Sequence, residues 1–309
     1  MSTRLALSAI AIAALSARPA LAQSEHAAHA MEAMAAGHQM SMARDKSLPP
    51  DEEGAKAQLN SSPRHGEWVK VDVGGTPVNT WVVYPERTTK APVVVVIHEI
   101  FGESDWIRAV ADQLAAEGFI AIAPDLLSGH GPNGGGTDSY ASRDDVTKAV
   151  GQLSQDEIMT RLDAARAYGL RLPAANGKSA TVGFCFGGST SFAYAVHQPA
   201  LDAAVVYYGS APRDPAAPQG EFVPSPALAN LHAPILGLYG GADARIGATV
   251  PATEAKMKAL GKTYSPHMFD GAGHGFLRAQ SGQNGANMKA TGQAWPRTLA
   301  FLREYLDGR

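Results

Sequence analysis

Hydrophobic positions in this chain follow the two periods that distinguish strands from helices. Residues 67–73 and 78–84 alternate apolar and polar side chains around a Gly-Gly-Thr-Pro turn, which predicts an antiparallel hairpin at a sheet edge. Residues 92–97 form a continuous β-branched run, typical of a strand buried on both faces. Apolar residues at helical spacing over 104–117 then predict a helix.

The same two kinds of segment repeat toward the C-terminus. The pattern predicts further strands at 119–123, 180–184, 203–208, 234–239 and 263–269, and helices at 156–170, 189–197, 250–260 and 286–306, the last broken near Pro296. Strands that alternate with helices predict an α/β fold, a mostly parallel sheet flanked by helices on both faces.

Residues 1–22 have the three-part pattern of a secretory signal peptide. Arg4 supplies the positive charge, residues 5–15 form the apolar stretch, and Ala20-Leu21-Ala22 is a small-residue cleavage site. The apolar stretch is shorter than the roughly 20 residues that a membrane span needs. We therefore expect a periplasmic or secreted protein that has no membrane attachment after cleavage.

Residues 23–64 differ in composition from the rest of the chain. The stretch 24–44 is rich in Ala, Met and His and has no aromatic or β-branched residue, so it cannot build a core. We predict a disordered leader that is dispensable for catalysis, followed by one domain over 65–309. Thioether and imidazole groups suit Cu(I), so the leader could bind copper weakly. A periplasmic protein that binds copper through this leader is therefore the alternative from a different class of function. The thioethers belong to Met31, Met34, Met40 and Met42.

The net charge and the cysteine count of the chain limit the functions it can have. The net charge is −3 and no basic run is present, so the sequence does not predict nucleic-acid binding. A single cysteine cannot form an internal disulfide, so the stability of the folded chain must come from its core.

The single cysteine stands in a glycine frame directly after a predicted strand. Gly183-Phe184-Cys185-Phe186-Gly187-Gly188 is the Gly-x-Ser-x-Gly nucleophile elbow with Cys in place of Ser. The turn is so tight that the residues two before and two after the nucleophile must be small. The helix that begins there points free N–H groups at the sulfur, which we expect to favour the thiolate. A buried structural cysteine is the alternative.

Two further loops carry the groups that a thiol nucleophile needs, a base and an orienting carboxylate. Asp243 follows the strand predicted at 234–239, and His274 follows the strand predicted at 263–269. Either residue alone would be an ordinary loop residue. The chain order Cys185, Asp243, His274 is the order of the α/β-hydrolase fold, so together they predict a Cys-His-Asp triad.

The loop after the valine-rich strand supplies one backbone N–H to the oxyanion hole of that fold. This loop is His98-Glu99-Ile100-Phe101-Gly102, and Ile100 is the expected donor, paired with the N–H of Phe186. Two such donors would stabilise the negative oxygen of a tetrahedral intermediate.

With these motifs in place, the chain resembles the dienelactone hydrolases, or carboxymethylenebutenolidases, over about residues 67–306. The resemblance is carried by the cysteine elbow with its trailing Gly-Gly, by Glu99 in Glu-Ile-Phe-Gly, by Tyr207-Tyr208-Gly209 and by Gly273-His274-Gly275-Phe276. It implies the α/β-hydrolase fold and the triad above. It also implies that Glu99 pairs with the resting thiol and takes its proton when substrate displaces it.

The resemblance further implies two arginines that bind a substrate carboxylate. Arg278 lies four residues after His274, at the matching position, and Arg143 lies at about the right distance upstream of the elbow. A guanidinium can bind a carboxylate through two parallel hydrogen bonds. Tyr208 is a third expected substrate contact, whereas Asp144 and Asp145 could instead neutralise Arg143.

The sequence thus predicts an exported hydrolase of small esters or enol lactones that forms a thioester on Cys185 and requires no metal or organic cofactor. An enol leaves more readily than a simple alkoxide, which favours activated esters and enol lactones. A general carboxylesterase or thioesterase on the same triad remains the alternative within this class.

Overall fold

An eight-stranded sheet organises the part of the chain that the structure describes. In the computed structural model, which describes residues 45–307, its strands are β1 (Gly66–Val73), β2 (Thr76–Val83), β3 (Ala91–Ile97), β4 (Ile120–Pro124), β5 (Ala175–Phe184), β6 (Ala203–Tyr207), β7 (Ile235–Gly240) and β8 (Tyr264–Phe269). Their spatial order is β1-β2-β4-β3-β5-β6-β7-β8. β1 pairs antiparallel with β2, and β2 pairs antiparallel with β4. All the other neighbouring strands are parallel.

Helices cover both faces of the sheet. They are α1 (Ala55–Ser61), α2 (Asp105–Ala116), α3 (Arg143–Val150), α4 (Gln155–Arg171), α5 (Phe186–His197), α6 (Ala244–Gly247), α7 (Val250–Ala259) and α8 (Ala286–Asp307). Within β3, Val94 and Val96 pack in the same cluster as α2 and α8. Val95 and Ile97 pack on the opposite side, with α4, α5 and α7. The continuous apolar run of β3 is therefore buried on both faces, and the predicted α/β fold is confirmed.

One local prediction was wrong, and one helix was not predicted. Helix α8 continues through Pro296, because Trp295 and Leu299 on either side are buried and their packing holds the helix together. Helix α3 was not predicted, because Val146 and Val150 are its only buried residues and too few to show a period. Its N-terminus is capped by the Ser142 hydroxyl, which accepts from the N–H of Asp145 at 3.2 Å.

The predicted domain boundary at residue 65 also needs correction, because the compact unit begins at Ser47. Residues 47–64, which we call the N-terminal strap, pack against α2 and the loop after β8. Trp106 Nε1 donates to the carbonyl of Pro50 at 3.0 Å, and Gln280 Nε2 donates to that of Pro49 at 3.0 Å. Leu48 and Ala55 enter the core, so the leader predicted over residues 23–64 is too long.

The end of the strap is tied to α2 by one buried carboxylate. Asp112 is 2% exposed and accepts hydrogen bonds from the Ser62 hydroxyl at 2.5 Å and from Arg64 Nε at 2.9 Å. A charge buried to this degree needs such partners to offset its lost hydration. The strap is therefore part of the folded domain.

The predicted signal peptide and the Met/His-rich stretch lie outside the described residues. Between residues 45 and 307, no helix is both long and apolar enough to cross a membrane.

Candidate active site

The predicted site residues follow five strands that are adjacent in the sheet. Glu99, Cys185, Tyr208, Asp243 and His274 come shortly after β3, β5, β6, β7 and β8, in that spatial order. Carboxyl ends of parallel strands meet at one edge, which is where open α/β sheets bind ligands. The sheet therefore gathers residues that are far apart in sequence at one edge.

Cys185 has the strained geometry that its motif predicts. Its φ is 55°, in a region that non-glycine residues rarely adopt, and its N–H donates to the carbonyl of Tyr207 at 3.1 Å. A Cβ on Gly187 would lie 2.1 Å from the carbonyl oxygen of Ile97, and one on Gly183 would lie 1.9 Å from that of Gly187. Both glycines are therefore required by close backbone approach, which lifts the cysteine above the sheet edge.

Two backbone N–H groups converge on the half-buried sulfur. They belong to Phe186, at the start of α5, and to Ile100, on the loop after β3. These are the two residues predicted to form the oxyanion hole. Donors placed around the nucleophile are also close to the oxygen that an attacked carbonyl would carry there.

The N–H group at the start of α5 lowers the pKa of the Cys185 thiol as expected, but the net shift of that pKa is upward. Burial raises the pKa of the Cys185 thiol, and the negative charge of Glu99 raises it further. The N–H groups of Phe186 and Ile100 and the charge of Arg245 oppose this rise without reversing it. The rise in pKa caused by burial of the sulfur is larger than the fall caused by the N–H groups at the helix N-terminus, so the resting group is a thiol.

His274 and Asp243 form a hydrogen-bonded pair across two neighbouring strand ends. His274 Nδ1 lies 2.5 Å from Oδ2 of Asp243. The other carboxylate oxygen accepts from the N–H of Ile246 at 3.3 Å, so α6 helps to orient the acid. Because Nδ1 is held by the carboxylate, Nε2 is the ring nitrogen left for proton exchange.

Tyr208 packs against His274. Its ring lies edge-on to that of His274, with 5.2 Å between the centroids, and its φ is 39°. Burial raises the pKa of the Tyr208 hydroxyl well above its usual range, and the charges of Glu99 and Cys185 raise it further. Among the described residues this buried hydroxyl has no hydrogen-bond partner.

Glu99 is buried beside the thiol and pairs with Arg278. The carboxylate is 3% exposed, and its Oε2 lies 2.7 Å from Nε of Arg278. Burial raises the pKa of Glu99 to about 7, although the guanidinium lowers it. The carboxyl can therefore gain or lose a proton near neutral pH, as a group that exchanges a proton with the thiol must do.

Arg278 and Arg143 do lie together, but a carboxylate already occupies the space between them. Glu52, in the N-terminal strap, places Oε1 2.8 Å from a terminal nitrogen of Arg143 and contacts Arg278 through Oε2. Both guanidinium groups also lie over the Phe101 ring, with 3.5 Å from Arg143 Cζ to the centroid and 5.0 Å from Arg278 Cζ.

Sequence reasoning missed three residues of this site. Glu52 was assigned to the leader, although the proline pair before it signals an extended segment that stops and turns. Arg245 lies two residues after Asp243 and belongs to no motif that would indicate its role. The third residue, His98, is fully buried, and its Nδ1 lies 2.7 Å from the carbonyl oxygen of Glu99, so it helps to fix that loop.

A cleft of about 560 Å³ adjoins the elbow and includes Phe186, Ser189, Leu153 and Phe222 in its lining. Its mostly apolar wall would suit the apolar part of a small substrate. Within residues 45–307 no group of three or more His, Cys, Asp or Glu side chains is arranged to hold a metal ion.

Residues 78–306 match the model of the dienelactone hydrolase family. A protein of Methylorubrum extorquens named "Putative carboxymethylenebutenolidase" is 31% identical over 246 residues, which cover 77% of this chain and 80% of that protein. A Bradyrhizobium protein named "Probable 2-oxo-3-(5-oxofuran-2-ylidene)propanoate lactonase" is 29% identical over 245 residues, which cover 79% of this chain and 96% of that one.

Solved structures agree with these sequence matches. The crystal structure of a "Putative Dienelactone Hydrolase" from Klebsiella pneumoniae has a TM-score of 0.68 and 27% identity, covering 78% of this chain and 99% of that chain. Dienelactone hydrolase from Anabaena variabilis shares the fold, with a TM-score of 0.57 and 20% identity over 79% of this chain and 99% of that one.

Proposed function

Because this chain belongs to the dienelactone hydrolase family, we propose that it hydrolyses small esters or enol lactones through a thioester on Cys185. The observation that carries the proposal is the convergence of the Phe186 and Ile100 N–H groups on the sulfur. Two related proteins are named for lactone-type substrates, a carboxymethylenebutenolide and an oxofuranylidene propanoate, and both names describe a ring ester conjugated to a double bond.

The first half of the reaction begins with the resting thiol. Glu99 takes the proton of Cys185 when substrate enters, which its pKa of about 7 permits. The sulfur attacks the carbonyl carbon, and the oxyanion accepts hydrogen bonds from Ile100 and Phe186. The C–O bond of the ester then breaks, and the enolate oxygen that leaves takes the proton now held by Glu99.

The second half regenerates the enzyme. His274 Nε2 takes a proton from water, whose oxygen attacks the thioester carbon, while Asp243 stabilises the resulting imidazolium. The C–S bond breaks, the acid product leaves, and the imidazolium of His274 returns its proton to the sulfur. A thiolate expels an enol more readily than an alkoxide, so conjugated lactones and activated esters are the favoured substrates.

Mass spectrometry of the intact protein tests the nucleophile directly. During turnover of an enol lactone, wild type should gain the mass of the acyl group, and the adduct should map to Cys185, the only cysteine in the chain. C185A should form no adduct and should lose at least about a hundredfold in kcat/KM, or about 2.7 kcal/mol of barrier. An adduct on any other residue would refute the assignment.

Substrate panels separate this proposal from a general carboxylesterase or thioesterase. We expect kcat/KM for an enol lactone to exceed that for an alkyl ester of the same acyl group, because the leaving group decides the rate. Equal values would favour the general esterase.

We also propose that the protein is exported, on the basis of the signal-like residues 1–22. Mass analysis of the protein expressed in a Gram-negative host should find a mature form that starts at Gln23 in the periplasmic fraction. A full-length protein confined to the cytoplasm would contradict export.

A further inference from the structure

The N-terminal strap places a carboxylate where the family resemblance puts the carboxylate of the substrate. Glu52 lies between Arg143 and Arg278, with one oxygen toward each guanidinium. This is the geometry in which two arginines would share the acid group of a ligand. The family model begins at residue 78, so Glu52 belongs to a part of the chain that precedes the region matched to the family.

Glu52 offsets part of the positive charge that the two arginines would offer a ligand. Arg143 and Arg278 supply two positive charges, and Glu52 cancels one of them whether or not Glu99 is ionised. An entering carboxylate would lie beside the carboxylate of Glu52. Like charges at such short range oppose binding, more so where Arg278 is only 20% exposed.

Glu52 is also held in place by its own backbone. Its N–H donates to the carbonyl of Arg278 at 3.0 Å, so the strap and the arginine loop are joined at the residue that fills the clamp. On the N-terminal side, the carbonyls of Pro49 and Pro50 accept from the buried donors of Gln280 and Trp106. A tethered carboxylate has a high effective concentration, so a free acid competes with it poorly.

We propose that Glu52 is a specificity-determining residue that closes the two-arginine clamp, so the enzyme selects neutral esters or lactones over substrates that carry a carboxylate. This inference rests on the proposed function, because it concerns the substrate of the same site. It reverses the expectation that Arg143 and Arg278 serve to bind an acidic substrate. In this chain the arginines anchor the strap and form part of the wall of the site.

The test compares an enol lactone carrying a free carboxylate, a carboxymethylenebutenolide, with its methyl ester. The two compounds share the reacting ring and the leaving group and differ in one charge. The measured quantity is the ratio of kcat/KM for the acid to kcat/KM for the ester, which does not depend on how much of a preparation is active. We expect wild type to favour the ester.

E52Q keeps the size of the side chain and removes its charge, which leaves the clamp with an excess positive charge. The ratio should rise by about tenfold or more in this variant, mainly through a lower KM for the acid. E53Q removes the same charge from the neighbouring exposed residue, so its ratio should stay within about twofold of wild type.

A ratio that E52Q leaves unchanged or lowers would overturn the proposal, as would a wild type that prefers the acid. An equal rise in E53Q would show a general effect of net charge and would overturn it too. C185A, assayed with both compounds, reports on the proposed function separately. If C185A retains wild-type turnover, the thioester mechanism fails, whatever the ratio shows.

Discussion

Nε of Arg278 lies 2.7 Å from Oε2 of Glu99, yet burial raises the pKa of this carboxyl to about 7. The ion pair therefore stabilises a charge that the surrounding protein opposes. The same carboxylate, when ionised, raises the pKa of the Cys185 thiol. One proton on Glu99 thus affects both the stability of the site and the reactivity of its sulfur.

The pH dependence of stability should carry the signature of Glu99. Its pKa is raised from 4.5 to about 7, so between these values the folded state binds a proton that the unfolded state has lost. The contribution of Glu99 to the free energy of unfolding is therefore full below about pH 4.5 and is lost as pH rises through about 7. Urea unfolding at pH 5 and pH 8 should show a smaller difference between these pH values for E99Q than for wild type, with E53Q as the matched control. An unchanged difference in E99Q would contradict the raised pKa.

The reactivity of Cys185 should depend on Glu99 in a manner that changes with pH. At pH 8 the carboxylate is mostly ionised and raises the pKa of the thiol, so E99Q should form more thiolate and react faster with iodoacetamide. At pH 5.5 the wild-type carboxyl is mostly protonated, so the two rates should converge. The label is read by mass, since the chain has no other cysteine. A slower reaction of E99Q at pH 8 would mean that Glu99 activates the resting thiol instead.

Gly187 should tolerate no side chain. A Cβ there would lie 2.1 Å from the carbonyl oxygen of Ile97 and 2.5 Å from that of His98, so G187A must displace the backbone that leads to the oxyanion loop. We expect a loss of stability of about 2–4 kcal/mol and a large fall in kcat. G292A is the matched control, because that exposed glycine lies within α8 and a Cβ there meets nothing within 4 Å. It should gain about 0.5–1 kcal/mol. Equal effects of the two variants on stability would show that the elbow is less tightly packed than described.

Removal of the N-terminal strap should destabilise the domain. A chain that starts at residue 65 leaves Trp106 Nε1 and the Asp112 carboxylate without the partners that the strap supplies. Each such loss costs about 1–3 kcal/mol, so the melting temperature should fall by several degrees relative to a chain that starts at residue 47. The chain that starts at residue 47 should melt like the full mature protein. If both truncated chains melt at the same temperature, the strap adds nothing to the stability of the fold.

The sequence by itself determined the sheet and the candidate nucleophile. The run in β3 predicts a strand buried on both faces because it is short and its apolar residues are β-branched, which favours a strand over a buried helix. The glycines around Cys185 predict the elbow because only glycine fits a backbone approach that close. Asp243 and His274 could be placed beside one another because parallel strands end at one edge. These are local patterns combined with one rule of topology.

Tertiary structure alone decided the electrostatics of the site and the occupant of the arginine clamp. The net pKa of Cys185 depends on how far burial outweighs the helix terminus, and burial is a property of all the elements packed around the sulfur. Glu52 could not be predicted because 226 positions separate it from Arg278, and no period or motif links two residues that meet only when the strap folds over the sheet edge. A contact of this kind is chosen by the packing of the whole chain, and so it becomes visible only in the folded protein.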